Sequence, residues 1–106
     1  MKLYGIRYAK GFRYGTMETV LRTQKGNHEL IADFSFFYYL AETEGKHFLI
    51  DTGFRDRRVA AEMGVSLLPI EKEIMQVFGS FPEINAIFLT HSHWDHINNI
   101  DLYPNA

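Results

Sequence analysis

The run His91-Ser92-His93-Trp94-Asp95-His96 sets three imidazoles and a carboxylate within six residues, directly behind the apolar stretch Ile84-Asn85-Ala86-Ile87-Phe88-Leu89-Thr90. That order constrains the fold more than any other feature. Donors to a shared ion must converge, and a tight turn at the end of a rigid strand makes neighbouring side chains converge. On an extended backbone, residues two apart project to the same side, so His91 and His93 can share one ion. Asp95 and His96 fall one step later, where the chain can turn into a helix and face a second ion or an ion-bound water. Imidazole together with carboxylate suits zinc, and iron, manganese or cobalt accept the same ligand types. The plainer alternative is a solvated polar turn whose imidazoles cap the following helix. The strand-to-helix context favours the metal reading, because it supplies the geometry that the letters require.

Composition narrows the remaining classes. The formal net charge is −2 and the charges are mixed along the chain, without the basic stripe that a nucleic-acid-binding surface shows. There are no cysteines, hence no disulfide framework, thiolate metal site or cysteine nucleophile. The longest near-apolar stretch, Phe34 to Ala41, is too short to span a bilayer, and no apolar signal-peptide core follows Met1-Lys2. A cytoplasmic protein with neither membrane nor nucleic acid as partner is the expectation. At 106 residues and 46 % hydrophobic, residues 1–106 make up one domain at most and are not a disordered segment.

The hydrophobic period predicts hairpins followed by helices and a final strand. Lys2 to Tyr8 alternates as a strand, Gly11 to Gly15 reads as a glycine-bounded turn, and Met17 to Arg22 as the returning strand. A polar loop over 24–29 leads to the strand Asp33 to Thr43. That strand is apolar on both faces, with Phe34, Phe36, Tyr38 and Leu40 on one and Phe37, Tyr39 and Ala41 on the other, so cover on both sides is expected. Glu44-Gly45-Lys46 turns into the strand His47 to Ile50. Arg55 to Met63 reads as a short helix stopped by Gly64. A second helix begins with Pro69 in its first turn and carries Ile70, Ile74, Val77 and Phe78 on one face. Gly79 and Pro82 close it, and Ile84 to Thr90 is a buried strand. The expected class is α+β.

Thr90 to His96 behind an apolar strand, with Leu49-Ile50-Asp51-Thr52-Gly53 upstream, resembles the metallo-β-lactamase superfamily. The strand ending Tyr38-Tyr39-Leu40-Ala41-Glu42-Thr43, the short turn, and the strand reaching Asp51-Thr52-Gly53 are similar to its N-acyl-homoserine lactonase-like branch. The resemblance implies an αββα sandwich and a hydrolase with one or two metal ions, whose bound hydroxide attacks an ester, lactone, thioester or amide carbonyl. Small lactones or related esters are the implied substrates. His91 and His93 would hold the first ion, Asp95 and His96 the second. Asp95 would also orient the attacking water and pass its proton to the leaving group. One departure stands out: small residues, usually including a glycine, follow the motif in the family, and Asn98-Asn99 stand there in this chain.

The same resemblance implies a further histidine for the first ion, a bridging aspartate and a last histidine for the second, all well downstream. Ten residues follow His96, and the other two histidines, His28 and His47, precede the motif. The chain is therefore expected to be the N-terminal half of such a domain, with half a binuclear site. Its C-terminal half would be missing or supplied by a partner, and self-association is expected. Two rivals stand beside the lactonase-like reading. One is a phosphodiesterase or nuclease of the same superfamily, which the missing basic stripe disfavours. The other is a non-catalytic module that folds against another subunit.

Asp51 ends an apolar strand, where an uncompensated carboxylate is expensive. It caps Thr52, Gly53 or the next helix through backbone amides, or accepts a hydrogen bond from a ligand imidazole and fixes its tautomer, and both hold if the carboxylate bridges backbone and imidazole; the resemblance favours the imidazole. Trp94 either packs against the turn or lines a substrate pocket. Phe12, Arg13 and Tyr14 are turn residues that could reach a substrate. His28 and His47 read as ordinary surface residues.

Overall fold

Alternating apolar residues build two long strands, β1 (Lys2–Tyr14) and β2 (Leu30–Thr43), which pair antiparallel from Lys2 opposite Glu42 to Tyr14 opposite Leu30. The computed structural model describes residues 1–14 and 30–106. After a turn in which Glu44 and Gly45 both take positive φ, β3 (Lys46–Ile50) returns along β2. Helix α1 (Arg57–Met63), the short strand β4 (Val65–Leu67) and helix α2 (Glu71–Phe78) then lead to β5 (Ala86–Phe88). A single helical turn, α3 (Trp94–Ile97), and a 3-10 turn (Ile100–Leu102) follow. The sheet order is β4-β1-β2-β3-β5. β5 lies parallel to β3, which the intervening helical crossover permits. The fold is α+β with a mixed sheet.

Several expectations need correction. β1 does not stop at Tyr8: Gly11 to Tyr14 continue the ladder opposite Phe34 to Leu30, so the glycine-bounded turn is strand. Gly11 marks a close approach instead. A Cβ there would lie 3.3 Å from the Gly64 carbonyl and 3.3 Å from a Val65 methyl on β4. The partner of β1 is β2; the expected returning strand 17–22, the loop 24–29 and His28 lie outside the described residues. β4 was not anticipated, since three residues behind a helix-ending glycine carry too little pattern. Helix α1 starts two residues later than expected, because Asp56 accepts from the Arg58 and Val59 amides as its N-cap. It ends, as expected, at Gly64 with φ 69°. Pro69 lies ahead of α2 and not in its first turn, and Val77 is exposed although Ile74 is buried and Ile70 and Phe78 pack on the core.

The core sits on one face of the sheet. Ile6, Tyr8, Tyr38, Leu40 and Leu49 meet Phe54, Ala60 and Ile84, with Ile70 and Phe78 of the α2 region packed alongside. Leu40 and Leu49 are fully buried, each worth roughly 1.5–3 kcal/mol of burial. A register shift between Arg7 and Ala9 leaves Tyr8 as an extra residue in β1. That bulge turns both Tyr8 and Ala9 into the core, and Tyr8 reaches from it toward α3.

Among the described residues nothing covers the opposite face, where cover on both sides of β2 was expected. Directly paired residues share a face, which places Leu3, Ala41, Phe48 and Ala86 in one row and Gly5, Tyr39, Ile50 and Phe88 in the next. Leu3 is 56 %, Phe37 41 %, Tyr39 40 % and Phe88 59 % exposed. The helices lie on the other side, so the described residues form two layers where the pattern asks for three. No helix among the described residues is long and apolar enough to cross a membrane.

Candidate metal centre

Parallel pairing brings the carboxyl ends of β3 and β5 together, the position where α/β sheets gather ligand groups. The ladder runs one residue past β3: the Asp51 amide donates to the Phe88 carbonyl at 2.8 Å. Asp51 then takes φ 63°, a left-handed conformation that Asp tolerates better than most side chains. The strand stops there, and the carboxylate meets the segment that follows β5. Its Oδ1 accepts from the Thr90 amide at 2.8 Å, and the Thr90 hydroxyl lies 3.0 Å from Oδ1 and 2.7 Å from Oδ2. Oδ2 also lies 2.8 Å from His96 Nδ1. Among the described residues Asp51 caps neither Thr52, Gly53 nor α1; it joins the Thr90 amide to an imidazole. Burial works against its charge, yet the Thr90 amide, the Thr90 hydroxyl and His96 together hold the carboxyl below the ordinary aspartate range. Its contribution to stability is therefore full above the unfolded-state pKa and is lost as pH falls through the lowered folded value.

The turn that carries the histidines is fastened from below. The amide and hydroxyl of buried Thr52 both donate to the His96 carbonyl, at 2.8 Å and 2.9 Å. The Tyr8 phenol donates to the Asp95 carbonyl at 3.1 Å. Burial, helped by the Asp95 and Asp51 carboxylates, raises that phenol far above its ordinary range, so it remains a donor. Gly53, at φ 72°, lies against the Tyr8 ring, and a Cβ there would come within 3.0 Å of it. A side chain at this position would combine unfavourable φ with overpacking, at a cost of about 1–3 kcal/mol or more. Asn99 is buried and completes the fastening: its amide donates to the Gly53 carbonyl at 3.2 Å and its Nδ2 to the Thr52 carbonyl at 3.1 Å. Arg55 donates to the Asn99 side chain at 2.9 Å and grips Asp101 with two bonds of 3.0 Å and 2.8 Å. Asn99 thus ties α3 to the Asp51-Thr52-Gly53 turn. In the sequence Asn99 stands out only as a departure from small residues, and nothing local signals its role or those of Thr90 and Tyr8.

The three imidazoles of the motif gather above this base. The His91 ring centroid lies 3.9 Å from that of His96 and 4.5 Å from that of His93. Asp95 joins them, with Oδ2 3.4 Å from His96 Nε2. His91 and His93 are exposed, while Asp95 and His96 are half-buried. The donor chemistry fits a divalent ion of the zinc type: imidazole nitrogens beside a carboxylate, with His96 Nδ1 already engaged by Asp51 so that Nε2 is left to ligate. The convergence is partial. Among the described residues no group of three or more His, Cys, Asp or Glu side chains is set to hold an ion as it stands. His47 stands apart: it pairs with Glu42 at 3.3 Å and meets the Phe78 ring edge-on. Trp94 packs on Phe54, ring centroids 4.8 Å apart, and so stiffens the turn. Phe12, Arg13 and Tyr14 belong to β1, and their side chains lie outside those described.

A histidine and carboxylate cluster in the turn behind β5, braced by Asp51 from the neighbouring parallel strand, is the chemical feature that this α+β domain gathers. Residues 32–106, well over half of the chain, match the family model of the metallo-beta-lactamase superfamily, and the protein belongs to that superfamily of metal-dependent hydrolases. Comparisons with curated proteins and with solved structures gave no match.

Proposed function

We propose that this chain carries part of a metal-dependent hydrolytic centre acting on the carbonyl of a small ester, lactone or thioester, with small lactones as the favoured substrates. The observation that supports it most is the Asp51 carboxylate bound to His96 Nδ1 at 2.8 Å beneath clustered imidazoles, an arrangement that leaves ring nitrogens to ligate. His91 and His93 hold one ion in this reading, and Asp95 and His96 a second. Zinc is the proposed metal, with iron or manganese as substitutes. When bound, zinc supplies Lewis acidity and brings the pKa of a coordinated water to about 7. Asp95 orients the attacking water and carries its proton toward the leaving group. Tyr8, through the Asp95 carbonyl, and Thr52, through the His96 carbonyl, hold both residues in place.

These donors fall short of a closed coordination sphere, so the reading includes further donors and a covering layer from a complementary half, in the same longer chain or in a partner. Replacing His93 by Ala is expected to lower zinc affinity at least tenfold, about 1.4 kcal/mol. Calorimetric titration of both chains with zinc checks this, and equal affinities would remove His93 from the site. A panel of lactones, esters, thioesters and phosphodiesters offered to the completed domain tests the substrate class. Turnover confined to the phosphodiesters would overturn it.

A further inference from the structure

The hydrogen bonds around Thr90 contain a direction that their distances alone do not state. The Thr90 hydroxyl has one proton to give. It lies 2.7 Å and 3.0 Å from the two oxygens of the Asp51 carboxylate, and 2.9 Å from His91 Nδ1. An ionised carboxylate only accepts, so the hydroxyl proton points to Asp51. The contact with His91 must then run the other way, with Nδ1–H donating to the Thr90 oxygen. His96 donates through its own Nδ1–H to Asp51 directly at 2.8 Å. We propose that Thr90 is a positioning residue that relays the Asp51 carboxylate to His91, so that one aspartate fixes two imidazoles in the Nδ1–H tautomer and leaves both Nε2 atoms free to ligate, His91 toward the first ion and His96 toward the second.

This rests on the metal-centre reading for its purpose, but the tautomers are properties of the metal-free chain. The geometry explains why a threonine or serine is needed there. The hydroxyl must accept from one side while donating to the other, and the Thr90 amide, bound to Asp51 Oδ1 at 2.8 Å, anchors the residue whatever its side chain. His93 makes no such bond among the described residues, so the relay is specific to His91 and His96.

Two-dimensional 1H–15N spectra of the imidazole rings, recorded without metal at a pH where histidine is neutral, read each tautomer directly. In the unmodified chain His91 and His96 should both show a protonated Nδ1 and an unprotonated Nε2. In Thr90→Val, which keeps shape and loses the hydroxyl, His91 should lose that pattern while His96 keeps it. Thr90→Ser should restore His91. Zinc affinity should fall roughly 10–100-fold in Thr90→Val and recover in Thr90→Ser, the range for partners that orient ligand histidines. A His91 protonated on Nε2 in the unmodified chain overturns the relay, as does an unchanged His91 in a folded Thr90→Val chain. Should Thr90→Val fail to fold, the unmodified chain and Thr90→Ser still decide the question. The expected tautomers without any zinc binding would support the relay and overturn the proposed metal centre, which separates the two.

Discussion

Asp51→Asn is expected to weaken zinc binding roughly 10–100-fold while the sheet stays folded. The carboxylate serves three groups, the Thr90 amide, the Thr90 hydroxyl and His96 Nδ1. An amide can present only one oxygen. If that oxygen stays with Thr90, an NH2 group faces His96 Nδ1 and drives the imidazole to the tautomer whose Nε2 is protonated and unable to ligate. If it turns to His96, the Thr90 amide faces a donor and loses its partner. The fold is spared because the core of Leu40, Leu49 and Phe54 does not involve this carboxylate, and asparagine accepts the left-handed conformation that Asp51 holds. Zinc calorimetry with a thermal melt of the metal-free chain checks both halves. Loss of folding with no separable change in zinc affinity would make Asp51 a purely structural residue.

Self-association of the isolated 106-residue chain is the second large effect expected. Leu3, Phe37, Tyr39 and Phe88 lie on one continuous sheet face, where Phe37 and Tyr39 stack with ring centroids 6.3 Å apart. Soluble monomers rarely leave apolar patches beyond a few hundred Å² uncovered, and a sheet of this composition meets a second layer in stable sandwiches. Sedimentation at micromolar concentration should show oligomers. Phe37→Glu combined with Phe88→Lys should shift them toward monomer without loosening the core, since both side chains point away from it. Supplying the complementary half should suppress association and bring hydrolysis of lactones or thioesters. A monomer of the unmodified chain that turns over substrate unaided would contradict both the bare face and the incomplete site.

What could be read from the sequence was local. The H-x-H-x-D-H spacing exposes its donors within one turn, and the alternation of Phe36, Tyr38 and Leu40 marks a strand wherever the chain goes. Helix α1 announced its end through Gly64. The elements that resisted were set by neighbours distant in sequence. Gly11 reads as a turn residue until β4 is seen pressed against it, and β4 itself is too short to carry a period. The apolar second face of β2 promised a covering layer, but no periodicity says which residues provide it.

The site divides along the same line. His91, His93, Asp95 and His96 are identifiable because they are adjacent, and Asp51 because it ends a strand in a recognisable Asp-Thr-Gly turn. Thr90, next to the motif, was passed over because its importance depends on Asp51, 39 positions away. Tyr8 depends on a bulge that shifts the register of β1, and Asn99 on a turn that only the parallel pairing of β3 and β5 brings near. Residues proposed to hold the chemistry cluster in sequence, while those proposed to aim it arrive through the fold.

X-ray absorption at the zinc edge of the zinc-loaded chain tests the central claim most directly. Imidazole nitrogens at about 2.0–2.1 Å, with the outer-shell scattering of at least two histidine rings, are expected, and His93→Ala should reduce it. A chain that takes up no zinc, or holds it through oxygen donors alone, would contradict the metal centre assigned to His91, His93, Asp95 and His96.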